Sequence, residues 1–191
     1  MIKTKEDLRN CLEQDRIANH KPVLKGVKAR IVDMLFPDLN FNYVRCLRKL
    51  EYCINNGGGY RKFYYIKQLS RLRQLTGIEL PPNVAGPGLH LSHGKVVISS
   101  KARIGSNCKI LSDVTIGGQG RYDRPGAPKI GNRVFIGSGA KIIGDITIAD
   151  DVVIGANAVV TKSILEPGIT VAGNPAVKVS NTNSYHFLNK N

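Results

Sequence analysis

Ile130-Gly131-Asn132-Arg133-Val134-Phe135-Ile136-Gly137-Ser138-Gly139-Ala140-Lys141-Ile142-Ile143-Gly144-Asp145-Ile146-Thr147-Ile148 places an isoleucine at every sixth residue. The step continues through Ile154 and Val160, and an earlier run carries it at Ile98, Ile104, Ile110 and Ile116. A period of six matches neither the 3.6 of a helix nor the 2 of a simple strand. It matches a solenoid with short flat sides, each a parallel strand that sends one aliphatic side chain to the axis. Four residues after most of these positions comes a second small or apolar residue: Ala102, Cys108, Val114, Val134, Ala140, Ile146, Val152 and Ala158. Long and short inward positions together fill a narrow prism. Three sides make one coil, so the ten repeat sites predict a little over three coils, stacked at roughly 4.8 Å. Glycine directly follows the aliphatic at Gly105, Gly117, Gly131, Gly137 and Gly155. These glycines are assigned to the tight corners, where positive φ costs glycine little. A buried parallel sheet of α/β type does not fit, because six-residue spacing leaves no room for helical crossovers.

Outward from the repeat, the 191-residue chain divides into a helical region over 1–77, the repeat over 78–180 and a polar, loose tail over 181–191. Thr4 followed by Asp7 predicts a capped first helix running to about Asn19. Residues 25–35 predict a second helix, stopped before Pro37. No apolar run has transmembrane length, and the N-terminus has no apolar stretch of signal-peptide type. A cytoplasmic location is therefore expected. The four cysteines, Cys11, Cys46, Cys53 and Cys108, show no CxxC spacing, and free thiols fit a reducing compartment.

The net charge is +14. Between Asn40 and Ile78 stand Arg45, Arg48, Lys49, Arg61, Lys62, Lys67, Arg71 and Arg73 against a single acid, Glu51, interleaved with Phe41, Tyr43, Phe63, Tyr64 and Tyr65. The stretch reads as two basic amphipathic helices split at Asn55-Asn56-Gly57-Gly58-Gly59. Two readings stand. One is a solvated basic face on a packed helical cap. The other is a surface for anionic lipid at the inner face of the membrane, or for an anionic, lipid-linked acceptor. Nucleic acid is not expected, because no recognition motif accompanies the charge.

Three blocks carry a family resemblance: Gly77-Ile78-Glu79-Leu80-Pro81-Pro82 running into Gly88-Leu89-His90-Leu91-Ser92-His93, then Val114-Thr115-Ile116-Gly117-Gly118, then Ala172-Gly173-Asn174-Pro175-Ala176. With these the chain resembles the serine acetyltransferase branch of the hexapeptide-repeat acyltransferases, most closely its short members in capsule and exopolysaccharide biosynthesis. The resemblance implies a left-handed parallel β-helix, acetyl-CoA as acyl donor and a homotrimer with active sites between subunits. It implies His93 as general base on an acceptor hydroxyl and Glu79 as the carboxylate orienting it. The chemistry agrees: an alcohol attacking a thioester must lose its proton as the bond forms, and imidazole titrates near neutrality. Ser92 stands where the family often has aspartate and is assigned to the acceptor. His90, offset by three from His93 on extended chain, points elsewhere.

The interval between Ile116 and Ile130 exceeds two hexads by two residues and reads as an excursion loop. The family typically carries Asp-Arg-His-Pro-Lys there; this chain has Asp123-Arg124-Pro125-Gly126-Ala127-Pro128-Lys129. Arg124 remains as an anion contact for the acceptor, and the histidine is missing. On the cofactor side the resemblance implies Gly118, presenting its N–H to the thioester carbonyl, with Ser138, Gly139 and Ala156 along the pantetheine arm. Lys162, Asn174, Pro175 and Lys178 match the region that meets the nucleotide and its phosphates. No metal site is expected: His90 and His93 are the only histidines in the repeat, too few for a three-histidine zinc centre. The altered loop and the basic helices favour an acetyl-CoA-dependent O-acetyltransferase acting on a sugar hydroxyl of a surface polysaccharide or its precursor. The alternative is serine O-acetyltransferase of cysteine biosynthesis.

Overall fold

The computed structural model describes residues 1–22, 35, 37–120 and 126–188. Helix α1 spans Lys5–Ala18 and starts in a capping box: the Thr4 hydroxyl accepts from the Asp7 N–H, and the Asp7 carboxylate accepts from the Thr4 N–H. Asn19 closes it. Helix α2, Leu39–Asn55, starts where the Asp38 side chain accepts from the Phe41 N–H. Helix α3, Gly59–Thr76, follows after a turn in which a Cβ on Gly58 would lie 2.5 Å from the Cys53 carbonyl oxygen. The helix expected over 25–35 falls almost wholly outside the described residues.

The repeat folds as a parallel β-helix with three sides. Side I stacks His90–Leu91, Lys109–Ile110, Phe135–Ile136, Val153–Ile154 and Thr170–Ala172, and Val177–Ser180 adds antiparallel at its end. Side II stacks Val97–Ile98, Thr115–Gly117, Lys141–Ile143 and Val159–Val160. Side III stacks Arg103–Ile104, Lys129–Ile130 and Thr147–Ile148. The isoleucines of the six-residue step and the small residues four places after them are all buried. A further coil precedes them, because Glu79 bridges Val97 and Ala85 bridges Ile104. Side I therefore holds five parallel strands, where the spacing had suggested a little over three coils. The added coil escapes the period because the residues stacked on the step positions, Leu80, Ala85 and Leu91, stand five and then six apart, and Ile98 follows seven later.

The corners correct the reading of the glycines. Positive φ falls three residues after the aliphatic, at Asn107, Asp113, Arg133, Gly139, Asp151 and Asn157. Asn and Asp take this conformation more readily than other side chains. The glycines directly after the aliphatics serve close stacking instead. A Cβ on Gly105 would lie 2.5 Å from the Gly131 carbonyl oxygen, and one on Gly137 2.6 Å from the Ala156 nitrogen.

Register also corrects the loop. Val97 pairs with Thr115 and Lys141 with Val159, each eighteen residues on, whereas Thr115 pairs with Lys141, twenty-six on. Ile116 and Ile130 thus sit on consecutive sides, and the excursion is eight residues long rather than two. Spacing alone cannot tell on which side the chain re-enters the coil.

A buried ionic network docks the helices onto the first coil. Arg48, 1% exposed, donates from Nε to Asp15 Oδ2 (2.8 Å) and from Nη1 to Glu51 Oε2 (3.1 Å). It also donates to the carbonyls of Ala85 (2.8 Å) and Gly86 (2.6 Å), and a longer bond reaches Asp15 Oδ1 at 3.4 Å. All five guanidinium N–H groups are used. Asp15 accepts in turn from the Leu89 N–H and Glu51 from the Asn83 N–H. The reading of 40–78 as solvent-facing charge is corrected at Arg48, which is the anchor between α1, α2 and the coil. On α3 no residue is buried, and Tyr60, Phe63 and Tyr64 are exposed. The tail is not loose over its described part. Ser184 is fully buried, its N–H donates to the Asp151 carbonyl, and Phe187 stacks on Phe135 with ring centroids 4.7 Å apart.

Candidate active site

The corner between sides I and II collects half of the residues expected in the site. One turn of the coil after another, it carries His93, Ser112, Ser138 with Gly139, Ala156, and Asn174 with Pro175. This order follows from the strand stacking on either side and from the bonds Gly139 N–H to Ser112 carbonyl, Asn157 N–H to Ser138 carbonyl and Val159 N–H to Gly173 carbonyl. Four coil steps separate the two ends, roughly 19 Å at the spacing of neighbouring strands. The residues are small for a physical reason. A Cβ on Gly139 would lie 2.0 Å from Asn157 Oδ1. The Ser112 hydroxyl donates to that of Ser138 at 3.3 Å. The Asn174–Pro175 peptide is cis.

His93 heads this column. It is exposed, and among the described residues it makes no hydrogen bond or ion pair. It lines a cleft of about 540 Å³ together with Asn40 from the start of α2, Leu75 and Thr76 from the end of α3, and Lys95, Ser112 and Asp113. Its position is held from behind. The Lys95 N–H donates to the Thr76 carbonyl at 2.9 Å, and a Cβ on Gly94 would lie 1.9 Å from that same oxygen. The end of α3 is thus pressed against the turn that presents the imidazole.

The other assigned residues stand apart from it. Glu79 gives its carboxylate to an ion pair with Arg73, and no hydrogen bond among the described residues joins it to His93. The Ser92 hydroxyl lies 3.2 Å from His90 Nε2, and the Ser92 carbonyl accepts from Asn40 Nδ2 at 3.4 Å. Ser92 therefore turns its side chain to His90 and does not line the His93 cleft. Gly118 and Lys162 occupy the next corner, between sides II and III, across a six-residue side that spans at most about 20 Å. Lys178 pairs with Glu166 at 2.6 Å. Arg124 lies outside the described residues. Lys95, Ser112, Asp113, Asn40 and Thr76 were missed. The signal for Ser112 and Asp113 was their distance from His93, close to one eighteen-residue coil.

His90 faces a different cleft, of about 740 Å³, lined by Gln14, Lys109, Arg133 and Tyr185. Burial, then the Lys109 ammonium and His20, push it down to about 4, against the 6.5 of a free imidazole. Its pKa is lower folded than unfolded, so the unfolded chain binds the extra proton and stability falls as pH drops from about 6.5 towards 4. Between pH 7 and 5 this group should cost the wild type about 2 kcal/mol. His90→Gln should lose that much less over the same range, measured by urea unfolding at the two pH values. Equal losses in the two proteins would remove His90 as the cause.

A family model, the bacterial transferase hexapeptide (six repeats), matches residues 127–162. A serine acetyltransferase from Helicobacter pylori strain 26695 is 45% identical over 124 residues, covering 63% of this chain and 72% of the relative. Among solved structures, the serine acetyltransferase of Brucella abortus strain S19 in complex with coenzyme A superposes with a TM-score of 0.74 at 28% identity, covering 94% of this chain and 70% of that one. A soybean serine acetyltransferase complexed with serine superposes with a TM-score of 0.72 at 30% identity, covering 90% and 69%.

Proposed function

This chain belongs to the serine acetyltransferase family, and from that premise we propose that it transfers the acetyl group of acetyl-CoA to the hydroxyl of L-serine. It is an acetyl-CoA-dependent acyltransferase of the hexapeptide-repeat fold, coiled left-handed as in that family. The polysaccharide acceptor expected from the altered loop is overturned: the relatives found are serine acetyltransferases by sequence and by structure. The loop argument failed because it took one missing histidine as the measure of acceptor choice, while the likeness to serine acetyltransferases extends over 94% of the chain.

The observation that carries the mechanism is the exposed imidazole of His93 at the head of a column of small residues. His93 removes the proton of the serine hydroxyl. The serine Oγ attacks the thioester carbonyl carbon, and a backbone N–H stabilises the charge that develops on the carbonyl oxygen. The carbon–sulfur bond then breaks, and the proton held by His93 passes to the leaving sulfur. The products are O-acetyl-L-serine and CoA. The small residues from Ser112 to Ala156 leave a groove for the pantetheine arm, with Asn174 and Pro175 at its far end. Gly118 and Lys162 lie at the other corner of the same chain. They meet His93 only if a neighbouring subunit supplies them, which supports a homotrimer with its sites at subunit boundaries.

The test is CoA release from acetyl-CoA with L-serine, set beside free sugars and sugar nucleotides. Serine-dependent release with formation of O-acetylserine is expected. Release with a carbohydrate and none with serine would sink the assignment.

A further inference from the structure

Helix α3 carries two apolar stripes on opposite sides, and the molecule covers one of them. Tyr65, Leu69, Leu72 and Thr76, at helical spacing, are half-buried, and Leu69 and Leu72 pack against the core. On the other side Tyr60, Phe63, Tyr64, Lys67 and Arg71 follow one another at i, i+3, i+4, i+7 and i+11, the spacing of a single helix face. Tyr60 is 80% exposed, Phe63 72% and Tyr64 57%. An ordinary surface helix is polar on the side away from its core. The charge of α3 has one sign. Arg61, Lys62, Lys67, Arg71 and Arg73 stand on it, and no acid occurs between Glu51 and Glu79. Glu51 is engaged by Arg48 inside the molecule, and Glu79 pairs with Arg73. Among the described residues, no carboxylate pairs with the other four cations. The first turn of α3 holds no acid, and Arg61 and Lys62 near it oppose the helix dipole, which favours negative charge there.

An uncovered aromatic stripe flanked by unanswered cations complements a surface that is anionic outside and apolar just beneath. We propose that the outer face of α3 docks on an anionic lipid bilayer, with Tyr60, Phe63 and Tyr64 at the headgroup boundary and the cations on lipid phosphates. Aromatic rings with polar tips favour that boundary, and each Lys or Arg near an anionic leaflet adds attraction. An eighteen-residue helix is a ridge about 27 Å long, a shape that meets a plane better than a pocket. Of α3, the His93 cleft takes Leu75 and Thr76 in the last turn, whereas the stripe occupies the first three turns. Docking therefore leaves the cleft open. The inference concerns where the enzyme works and does not depend on its acceptor.

The experiment is flotation of the full chain with vesicles of phosphatidylcholine alone or mixed equally with phosphatidylglycerol. In about 0.1 M salt, where charges act over about 10 Å, the mixed vesicles should bind the protein about tenfold or more tightly than the neutral ones. Salt at about 1 M, which cuts that reach to about 3 Å, should release it. Each cation contributes about fivefold, so Lys67→Gln with Arg71→Gln should weaken binding about tenfold or more. Phe63→Ser should weaken it about tenfold by removing buried ring area. All these side chains are exposed, so both variants should keep the wild-type circular dichroism. Failure to float with the mixed vesicles, equal binding to neutral ones, or binding that both variants retain overturns the proposal. A stripe covered by a second copy of the chain would show itself without lipid: Phe63→Ser would lower the sedimentation coefficient while the wild type fails to float, and that result overturns it too.

Discussion

His93→Ala is expected to lower kcat/KM for L-serine by about 10²-fold or more, the usual contribution of a positioned general base, while acetyl-CoA binds as before. The two halves of that expectation come from different parts of the molecule. The imidazole is exposed and bonded to nothing among the described residues, so removing it leaves no buried group unsatisfied and should hardly change stability. The groove assigned to the pantetheine arm lies one to three coils below it, on Ser112, Ser138, Gly139 and Ala156, and does not depend on the ring. Single-turnover CoA release and calorimetric titration with CoA separate the two effects. A variant that turns over at the wild-type rate would show that another group takes the proton. A variant that loses CoA affinity in step with activity would move His93 from acid–base chemistry to donor binding.

Arg48→Ala should cost about 3–5 kcal/mol of folding stability, the range for breaking a buried ion pair from one side. Both carboxylates facing Arg48 are buried, with Asp15 at 0% and Glu51 at 2% exposure. Without the guanidinium they are left with a backbone N–H each, and Asp15 with the weak Cys11 thiol donor besides, while the carbonyls of Ala85 and Gly86 lose their donor. Arg48→Lys keeps the charge but offers three donors from one point in place of five in a planar fork, so an intermediate loss is expected. Urea unfolding of the full chain measures both. If Arg48→Ala stays within about 1 kcal/mol of wild type, water has entered and resolvated the carboxylates. The network also holds Ala85 to Leu89, the segment leading into His93, so activity should fall before the chain unfolds.

Much of this molecule was readable without coordinates. The six-residue step identified the β-helix, because one inward aliphatic per side is a local demand that each side repeats. Thr4 with Asp7 located the start of α1, since a capping box is complete within four residues. His93 stood out by its motif and lies at the head of the corner column. What was misread involves partners far apart in the chain. Arg48 looked like one more surface charge, because nothing in its helix announces that Asp15, thirty-three residues earlier, will meet it in the core. Glu79 stood out by its motif position as well; its ion pair with Arg73 is a contact the sequence did not announce, made only once α3 lies beside the first coil.

The sequence by itself determined the class of fold and the chemical identity of the candidate base, since both rest on local pattern: a period, a cap, a titratable residue in a motif. The tertiary structure decided which residues share a corner. Stacking at intervals of sixteen to nineteen residues, with one coil of twenty-six, placed Lys95 over Asp113, carried Ser112 beneath His93, and left Gly118 at the far corner. That outcome depends on where the chain re-enters the coil after its excursion, and hydrogen bonding between coils, not spacing along the chain, fixes that point.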